Sequence, residues 1–464
     1  MKLITTIILL ISTLTAGSAG APHLEGGDLS ILWVVPFAGI LLSIAIFPLV
    51  ASDFWHHNFG KISAFWATLF ILPFMLSQGW QITLYEVLHV GLLEYIPFII
   101  LLLALFTISG GVQLTGSLVG TPIINTAIIL VGTLLASWMG TTGAAMLLIR
   151  PLLRANKERK YKVHIVVFFI FLVANIGGSL TPLGDPPLFL GFLKGVDFFW
   201  TTKAMFLPML FMVISLLIIF YIYDSIQFKK EEPLPQVSSK EKIGIKGSFN
   251  LLLIIGVVCS VLLSGFWKPN IEFTIYHVHL ELQNIIRDIL LLLLAYGSWK
   301  FTIKEIREAN EYTWFPIQEV AKLFAGIFIT IIPAIAILKA GTSGALAGII
   351  NSVSSDSGPV NHMYFWLTGI LSSFLDNAPT YLVFFNTAGG DPQVLMGELS
   401  QTLLAISAGA VFMGANTYIG NAPNFMVKSI AESSGIEMPS FFGYFLYSLI
   451  ILFPLFGVIS LLFF

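Results

Sequence analysis

The 464-residue chain is 56% hydrophobic and 10% charged, and its mean hydropathy is +0.90. This composition excludes a water-soluble globular protein and is typical of a multi-span membrane protein, whose principal partner is the lipid bilayer. The formal net charge of −2 gives no reason to expect binding to nucleic acid. The one cysteine, Cys259, excludes an internal disulfide, and it is interpreted as a small apolar side chain packed inside the protein.

Residues 1–20 are predicted to form a signal peptide. Lys2 precedes a short apolar stretch that ends in small residues, which is the order found in secretory signals. The stretch is too short to cross a bilayer comfortably. Cleavage is expected near Ala19 or Gly20, and the alternative is a retained extra helix.

Ten apolar runs are long enough to cross a hydrocarbon core of ~30 Å. They are predicted near residues 29–51, 61–79, 96–118, 163–196, 204–226, 249–266, 284–300, 320–340, 402–430 and 440–464. Two further apolar stretches, about 120–155 and 362–390, have polar tips and are predicted to be re-entrant hairpins. The predicted fold class is therefore an all-α polytopic membrane protein.

One short sequence motif occurs twice, 236 residues apart. Residues 178–187 and 414–423 share the pattern G-x-x-T-x-x-G-[D/N]-x-P, and the same offset relates Ser137 to Ser373 and Pro97 to Pro333. A constant offset over most of the chain indicates a duplicated gene. The predicted organisation is listed in chain order: repeat 1 over 29–226, with a hairpin at about 120–155 and a broken helix at about 163–196; a cytoplasmic linker over 227–248; and repeat 2 over 249–464, with a hairpin at about 362–390 and a broken helix at about 402–430.

Five crossings in each half, an odd number, predict that the second repeat is inverted relative to the first. Residues 150–162 carry six basic side chains and one acidic one, so they are expected in the cytoplasm. The linker and the basic stretch 300–322 then fall on the same side. Loops 80–95 and 388–401 contain no Lys or Arg and fall outside. The mature N-terminus and the C-terminus are therefore expected outside, with the first hairpin opening from the cytoplasm and the second from the exterior.

Glycines and prolines are expected to unwind the two repeated segments. Proline removes a helix donor, and irregular backbone at bilayer depth persists only inside protein or beside a wet cavity. Interrupted spans at matching positions of two halves point to the binding site of a secondary transporter. Asp185 lies in the first break, and an ionisable residue at that depth costs about 2.5–3.5 kcal/mol, which marks it as functional.

The predicted ion- or substrate-binding residues are the polar side chains of the hairpin tips and broken helices. They are Thr141, Thr142, Asn175, Thr181, Asp185, Ser373, Asp376, Asn377, Asn416, Thr417, Asn421 and Asn424. Hard oxygen ligands suit a small cation, so Na⁺ is expected at Asp185, Asp376 and Asn377. Buried carboxylates can also exchange protons. No cofactor is expected beyond Na⁺ and H⁺ as transported or coupling ions.

Structural alternatives remain open at several of these positions. Asn175, Ser179 and Ser373 could cap half-helices, and Thr181 and Thr417 could be either ligands or caps. Asp185 and Asp376 could be structural carboxylates held by backbone donors. Arg150 and Lys339 lie near the ends of their spans, where they could snorkel to the surface, and no role is predicted for them.

At these motifs the chain resembles the ion transporter superfamily, and within it the arsenical-pump/NhaD-like group of sodium:proton antiporters and the citrate-type carriers. The resemblance rests on residues 177–185, 372–379 and 419–421. It implies two inverted repeats, a prokaryotic inner (plasma) membrane location and often a homodimer. The chain departs from NhaD-like antiporters in its first hairpin, where Gly140-Thr141 replaces an Asp-Asn pair, and after Asp185, where Pro186-Pro187 replaces hydroxyl residues.

The leading functional prediction is a Na⁺/H⁺ antiporter that works by alternating access and is not an enzyme. No basic residue is expected where a di- or tricarboxylate would need a counter-charge. The alternative is a Na⁺- or H⁺-coupled transporter of citrate or another small anion, with arsenite or another oxyanion less favoured. An intramembrane aspartyl protease is disfavoured, because the residues before Asp185 do not form a G-x-G-D motif.

Overall fold

The computed structural model of the protein describes residues 22–232, 242–355 and 358–464. The predicted signal peptide and the centre of the predicted linker lie outside the described residues. The described chain is built from helices, most of which are strongly apolar. This confirms the predicted fold class, an all-α polytopic membrane protein.

The helices of the first half are numbered α1 to α9. They are α1 (Val35–Val50), α2 (Ser52–Gln78), α3 (Trp80–Val90), α4 (Ile96–Ser109), α5 (Pro122–Met139), α6 (Thr141–Ala155), α7 (Val163–Leu172), α8 (Pro186–Leu193) and α9 (Phe198–Phe228). A π-helical turn over Gly91–Tyr95 joins α3 to α4, and a 3₁₀ turn over Ile176–Leu180 follows α7. Two more 3₁₀ turns, Gly26–Asp28 and Ile31–Val34, precede α1.

The second half continues the series from α10 to α21. Its helices are α10 (Phe249–Phe266), α11 (Leu282–Phe301), α12 (Lys304–Ala309), α13 (Phe315–Thr330), α14 (Ile332–Lys339), α15 (Ala347–Ser352), α16 (Asn361–Phe374), α17 (Asn377–Thr387), α18 (Pro392–Met396), α19 (Ser400–Met413), α20 (Ala422–Ser433) and α21 (Phe441–Phe463). Two 3₁₀ turns, Gly341–Ser343 and Gly414–Asn416, follow α14 and α19.

Short strands form three antiparallel pairs among the described residues. They are β1 (Gln113–Thr115) with β2 (Gly244–Lys246), β3 (Glu272–Ile275) with β4 (Val278–Glu281), and β5 (Ser354–Ser355) with β6 (Gly358–Pro359). In the first pair, β1 follows α4 and β2 leads into α10. It therefore ties the end of the predicted linker to the first half of the chain.

By length and composition, eight helices of the described chain could cross a membrane, or up to nine if α13 and α14, which meet at a bend of 41°, form one span. The set includes α5, which was predicted to be one arm of a hairpin. Two of the predicted spans, those that contain α11 and α19, are not in this set. Helix α11 carries Arg287 and Asp288 near its start, and α19 ends at the break that begins at Gly414.

Two apolar helices, α7 and α19, form the centre of the molecule. Every residue of α7 from His164 to Leu172 is buried, and so is every residue of α19 from Thr402 to Met413. A helix that is apolar on all sides has no face to present to water and packs at the middle of a bundle. These central helices lead directly into the two broken segments, which therefore lie deep in the protein. Cys259 is exposed on α10, so its predicted packing in the interior was wrong.

The repeated sequence is matched by repeated helix boundaries. Helices α4 and α14 begin at Ile96 and Ile332, α6 and α17 at Thr141 and Asn377, and α8 and α20 at Pro186 and Ala422. Each pair of starting points differs by the offset of the sequence repeat. The inverted orientation of the halves and the exact repeat boundaries stay predictions.

Candidate ion and substrate site

Four helix N-termini meet around Asp185. Asp185 is the N-cap residue of α8, and Gly140, Asp376 and Asn421 hold the same position before α6, α17 and α20. The backbone N–H of Thr141 donates to the carbonyl of Gly184 over 2.9 Å, which fixes the first hairpin against the first break. A helix N-terminus carries a partial positive charge, so this arrangement favours negative groups at its centre.

The Asp185 carboxylate is buried and held by three neutral side chains. Its Oδ2 accepts from Asn377 Nδ2 at 2.6 Å, and its Oδ1 accepts from Asn421 Nδ2 at 2.9 Å and from Thr141 Oγ1 at 3.3 Å. Only 1% of Asp185 is exposed, and it forms no ion pair within the described residues. A buried carboxylate without a fixed cationic partner is suited to take up a mobile cation.

An amide network joins the two halves behind this carboxylate. Asn421 Nδ2 also lies 3.3 Å from Asn175 Oδ1, and Asn175 Nδ2 donates to Asn424 Oδ1 over 2.7 Å. Asn424 in turn donates to the carbonyls of Gly414 at 2.8 Å and Thr417 at 2.9 Å. These amides satisfy the carbonyls freed where the second helix breaks, as buried backbone groups require.

Thr181 and Thr417 have matching contacts in the two halves. Thr181 donates through Oγ1 to the carbonyl of Ser137, and Thr417 donates through Oγ1 to the carbonyl of Ser373. Each hydroxyl also accepts a backbone N–H two residues further on, at 3.2 Å in both cases. Both hydroxyls are thus engaged in holding a broken segment against its hairpin, which favours the structural alternative for this pair.

Two buried amide oxygens among the predicted site residues have no hydrogen-bond partner in the described part of the chain. They are Oδ1 of Asn377 and Oδ1 of Asn416. The Asn416 amide donates to Ser373 Oγ over 2.9 Å, and Ser373 donates to the carbonyls of Gly369 and Met413. Since buried acceptors are nearly always satisfied, an orphan oxygen next to the Asp185 carboxylate indicates a site for a cation. Asn377 therefore donates to Asp185 through its Nδ2 and keeps its Oδ1 without a partner among the described residues.

Two cavities flank the broken helices. A smaller one of about 100 Å³ is lined by the first hairpin tip, including Thr141 and Thr142, and by Asp185. A larger one of about 440 Å³ contains Asp376 and Asn421 at one end and His56, Arg150 and Glu311 among its other lining residues. Since Arg150 and Glu311 belong to segments predicted to be cytoplasmic, we name the larger space the inner cavity.

Arg150 lines the inner cavity, although no role was predicted for it from the sequence. Its Nη2 lies 2.9 Å from Glu311 Oε2, whereas its Nη1 is buried and has no hydrogen-bond partner within the described residues. A basic side chain thus lines a cavity beside the predicted site, although none was expected where a carboxylate substrate would need a counter-charge. Arg150 lies inside α6, within the predicted hairpin.

The structure thus brings together most of the predicted site residues. Asn175, Asp185, Asn377, Asn421 and Asn424 form one connected network with Thr141. Thr142 lines the smaller cavity without contacting Asp185. Asp376 caps α17 through its Oδ1, which accepts from the backbone N–H of Ala378 at 3.0 Å, and it faces the inner cavity.

A buried carboxylate at the meeting point of two broken helices, within a bundle of apolar helices, is typical of a polytopic membrane transporter. Residues 26–464 match the model of a family described as "Putative citrate transport", and the chain belongs to that family. No curated protein matches the chain. The family confirms the transporter prediction and agrees with a function other than catalysis. It supports the citrate-type part of the resemblance, while the arsenical-pump/NhaD-like antiporter assignment stays a prediction.

Proposed function

We propose that the protein is a secondary active carrier of citrate or a related small carboxylate, driven by Na⁺ or H⁺ that binds at Asp185. The proposal rests on one observation above all. Arg150, whose Nη1 has no hydrogen-bond partner within the described residues, lines the inner cavity together with Asp376 and with Asn421, the N-cap residue of α20.

The anion half of the proposal concerns recognition of carboxylate. Arginine is the side chain that best matches a carboxylate, because its planar fork can donate two parallel hydrogen bonds. The N-terminus of α20, whose N-cap residue Asn421 lines the cavity, adds a partial positive charge. The cavity volume of about 440 Å³ lies within the range of about 300–1,000 Å³ that is usual for small-molecule sites.

The cation half of the proposal concerns Asp185 and Asn377. The carboxylate and the orphan amide oxygen are hard ligands of the kind that bind Na⁺, and the same carboxylate can bind a proton in its place. Competition between the two ions at one group allows either to serve as the coupling ion.

Coupling between the anion and the cation follows from charge. Asp376 lines the inner cavity, so a citrate carboxylate that enters it meets a like charge. Two such charges 4 Å apart repel by about 4 kcal/mol at the effective dielectric constant of a protein interior. Binding of Na⁺ or H⁺ in the Asp185/Asp376 region removes this penalty, so the anion binds strongly only when the cation is present. Alternating access would then expose the loaded site to each side of a prokaryotic inner membrane.

Arg150 provides the test of the anion half. We expect Arg150→Gln to raise the citrate concentration for half-maximal uptake by about tenfold or more, because a charge-assisted hydrogen bond is lost. When citrate is saturating, the Na⁺ concentration for half-maximal uptake should stay unchanged, since the cation site itself is intact. The matched control is Lys157→Gln, which removes an exposed cation from the same basic segment. Equal citrate dependence in wild type and Arg150→Gln would contradict the proposal.

A second candidate function is Na⁺/H⁺ antiport without an organic substrate. The observation in its favour is that Asp185 is held only by neutral donors in the described structure, which suits simple ion exchange. A proton flux that is triggered by Na⁺ in the complete absence of carboxylates would support this alternative.

A further inference from the structure

A second polar cavity lies at the end of the molecule predicted to face outward. Its volume is about 430 Å³, and it lies between the start of α9, the end of α10 and the start of α11. The charged and amide side chains that line it are Asp197, Lys203, Lys268, Glu281, Asn284 and Arg287. It shares no lining residue with the inner cavity. We name it the outer cavity.

Arg287 is buried in the wall of the outer cavity with one N–H group unused. Only 1% of the residue is exposed. Its Nε donates to Asp288 Oδ1 at 2.8 Å and its Nη1 to Asn284 Oδ1 at 3.1 Å, while Nη2 is buried and has no partner within the described residues. A buried guanidinium nitrogen that lacks an acceptor is costly. Arg287 also lines the outer cavity, so an anion bound there would lie beside this guanidinium.

The two lysines of the outer cavity supply the positive charge for an anion, because Arg287 is already paired with Asp288. Lys203 and Lys268 are exposed at its rim, and neither forms an ion pair in the described structure. Of the two acids in the lining, Glu281 already accepts hydrogen bonds from Gln283 at 2.8 Å and Asn284 at 3.0 Å. The other acid, Asp197, is exposed to solvent at the N-cap of α9.

The remaining wall of the outer cavity is aromatic. Phe198 and Phe199 from α9 and Phe266 from α10 line it, and Phe266 is 74% exposed. The ring centroids of Phe199 and Phe266 lie 6.5 Å apart. Exposed aromatic side chains beside basic ones, at the ends of membrane helices, are typical of the region where lipid head groups lie.

We propose that the outer cavity binds a phosphate group, with Arg287, Lys203 and Lys268 as its ligands. The group belongs either to the head of an anionic phospholipid or to a soluble phosphate, and the aromatic wall favours the lipid. This site is separate from the transport pathway and does not depend on which substrate is carried.

The experiment uses the purified full-length chain with two probes. Native mass spectrometry measures the apparent affinity for phosphatidylglycerol, with phosphatidylcholine as the neutral comparison. Equilibrium dialysis against labelled inorganic phosphate, at constant ionic strength, measures binding of the soluble anion. We expect Lys203→Gln/Lys268→Gln to weaken binding of the preferred probe by about tenfold or more. The matched control, Lys157→Gln/Lys300→Gln, removes two exposed lysines predicted to face the cytoplasm and should bind like wild type.

Arg287→Gln gives a second test and should weaken binding to a similar extent, whereas Arg287→Lys should retain part of it. If Arg287→Gln fails to fold, as judged by size-exclusion chromatography, the lysine pair still decides the question. Loss of phosphatidylglycerol binding alone identifies a lipid site, and loss of phosphate binding alone identifies a site for a soluble anion. The proposal is overturned if wild type binds neither probe, or if the double lysine variant binds both as wild type does.

Discussion

Asp185 and Asn421 occupy equivalent positions of the two repeated segments, and their side chains hydrogen bond to each other over 2.9 Å. Each is the N-cap residue of the helix that follows a break, α8 or α20. Two equivalent residues can touch only where the two repeats meet. Thr141 and Asn377, which are equivalent in the same way, both donate to the Asp185 carboxylate. The centre of the protein is therefore built from two pairs of equivalent residues. Among these four residues, Asp185 alone carries a charge.

Removal of that charge should abolish coupled transport. Asp185→Asn keeps the size of the side chain but removes the carboxylate that binds the cation, so we expect Na⁺- or H⁺-driven uptake to fall by at least about tenfold. Glu398→Gln, which alters an exposed acid in a loop, is the matched control and should transport normally. Uptake is measured with labelled citrate in proteoliposomes.

The exchange variant Asp185→Asn/Asn421→Asp tests the symmetry of the site. Because the two side chains contact each other, the exchange keeps one carboxylate and one amide at almost the same place. We expect it to recover part of the activity that Asp185→Asn alone loses. If the double variant were as inactive as the single one at equal expression, the exact position of the carboxylate, and not its presence in the pair, would control transport.

Asn377 should matter more for Na⁺ than its equivalent, Thr141. The Asn377 amide donates to Asp185 at 2.6 Å and keeps an unpartnered oxygen, whereas the Thr141 hydroxyl donates at a longer 3.3 Å. We expect Asn377→Ala to raise the Na⁺ concentration for half-maximal uptake by about tenfold and Thr141→Val by about threefold or less. The Na⁺ dependence of uptake provides the measurement, and a larger effect of Thr141→Val would exclude Asn377 Oδ1 as the main ligand.

Glycines allow the same close backbone contact within each of the two breaks. A Cβ atom on Gly184 would lie 2.1 Å from the Gly178 carbonyl oxygen, and one on Gly420 would lie 2.5 Å from that of Gly414. We expect Gly184→Ala and Gly420→Ala each to destabilise the protein by about 1–3 kcal/mol, because the backbone must move apart. Gly297→Ala is the control, since its Cβ would meet nothing within 4 Å in a helix. Thermal unfolding in detergent gives the comparison, and equal melting temperatures would contradict it.

The ion pair between Glu94 and Lys194 links the π-helical turn before α4 to the end of α8. The two groups lie 2.5 Å apart, and their side chains are 5% and 19% exposed. Breaking a buried pair leaves an unpaired charge, so Glu94→Gln and Lys194→Met should each cost about 3–5 kcal/mol. The double variant should lose less than the sum of the singles. Additive losses in thermal unfolding would show that the two side chains act independently.

The sequence alone predicted the breaks well, because proline and glycine act locally. Residues 178–187 and 414–423 cannot continue a helix, and the structure interrupts the chain there in both halves. The same reasoning identified Asp185, since an acid inside an apolar run stands out. Buried polar amides such as Asn175 and Asn424 were found for the same reason.

Partnerships between distant residues could not be predicted in this way. Arg159 Nη2 lies 2.6 Å from Asp224 Oδ1, and His164 Nε2 lies 2.8 Å from the same oxygen, although Asp224 was counted as part of an ordinary span. Arg150 was missed because a basic residue near the end of an apolar run looks the same whether it snorkels or lines a cavity. Only the packing of α6 against the loop that carries Glu311 distinguishes the two.

Uptake of labelled citrate by proteoliposomes that contain wild type or Asp185→Asn tests the central claim most directly. A Na⁺ gradient and a pH gradient are imposed separately, and internal pH is recorded in the same vesicles. The account predicts that at least one gradient drives citrate accumulation in wild type and that neither does so in Asp185→Asn. A proton flux triggered by Na⁺ alone, with no citrate uptake under either gradient, would contradict it and establish the antiporter instead.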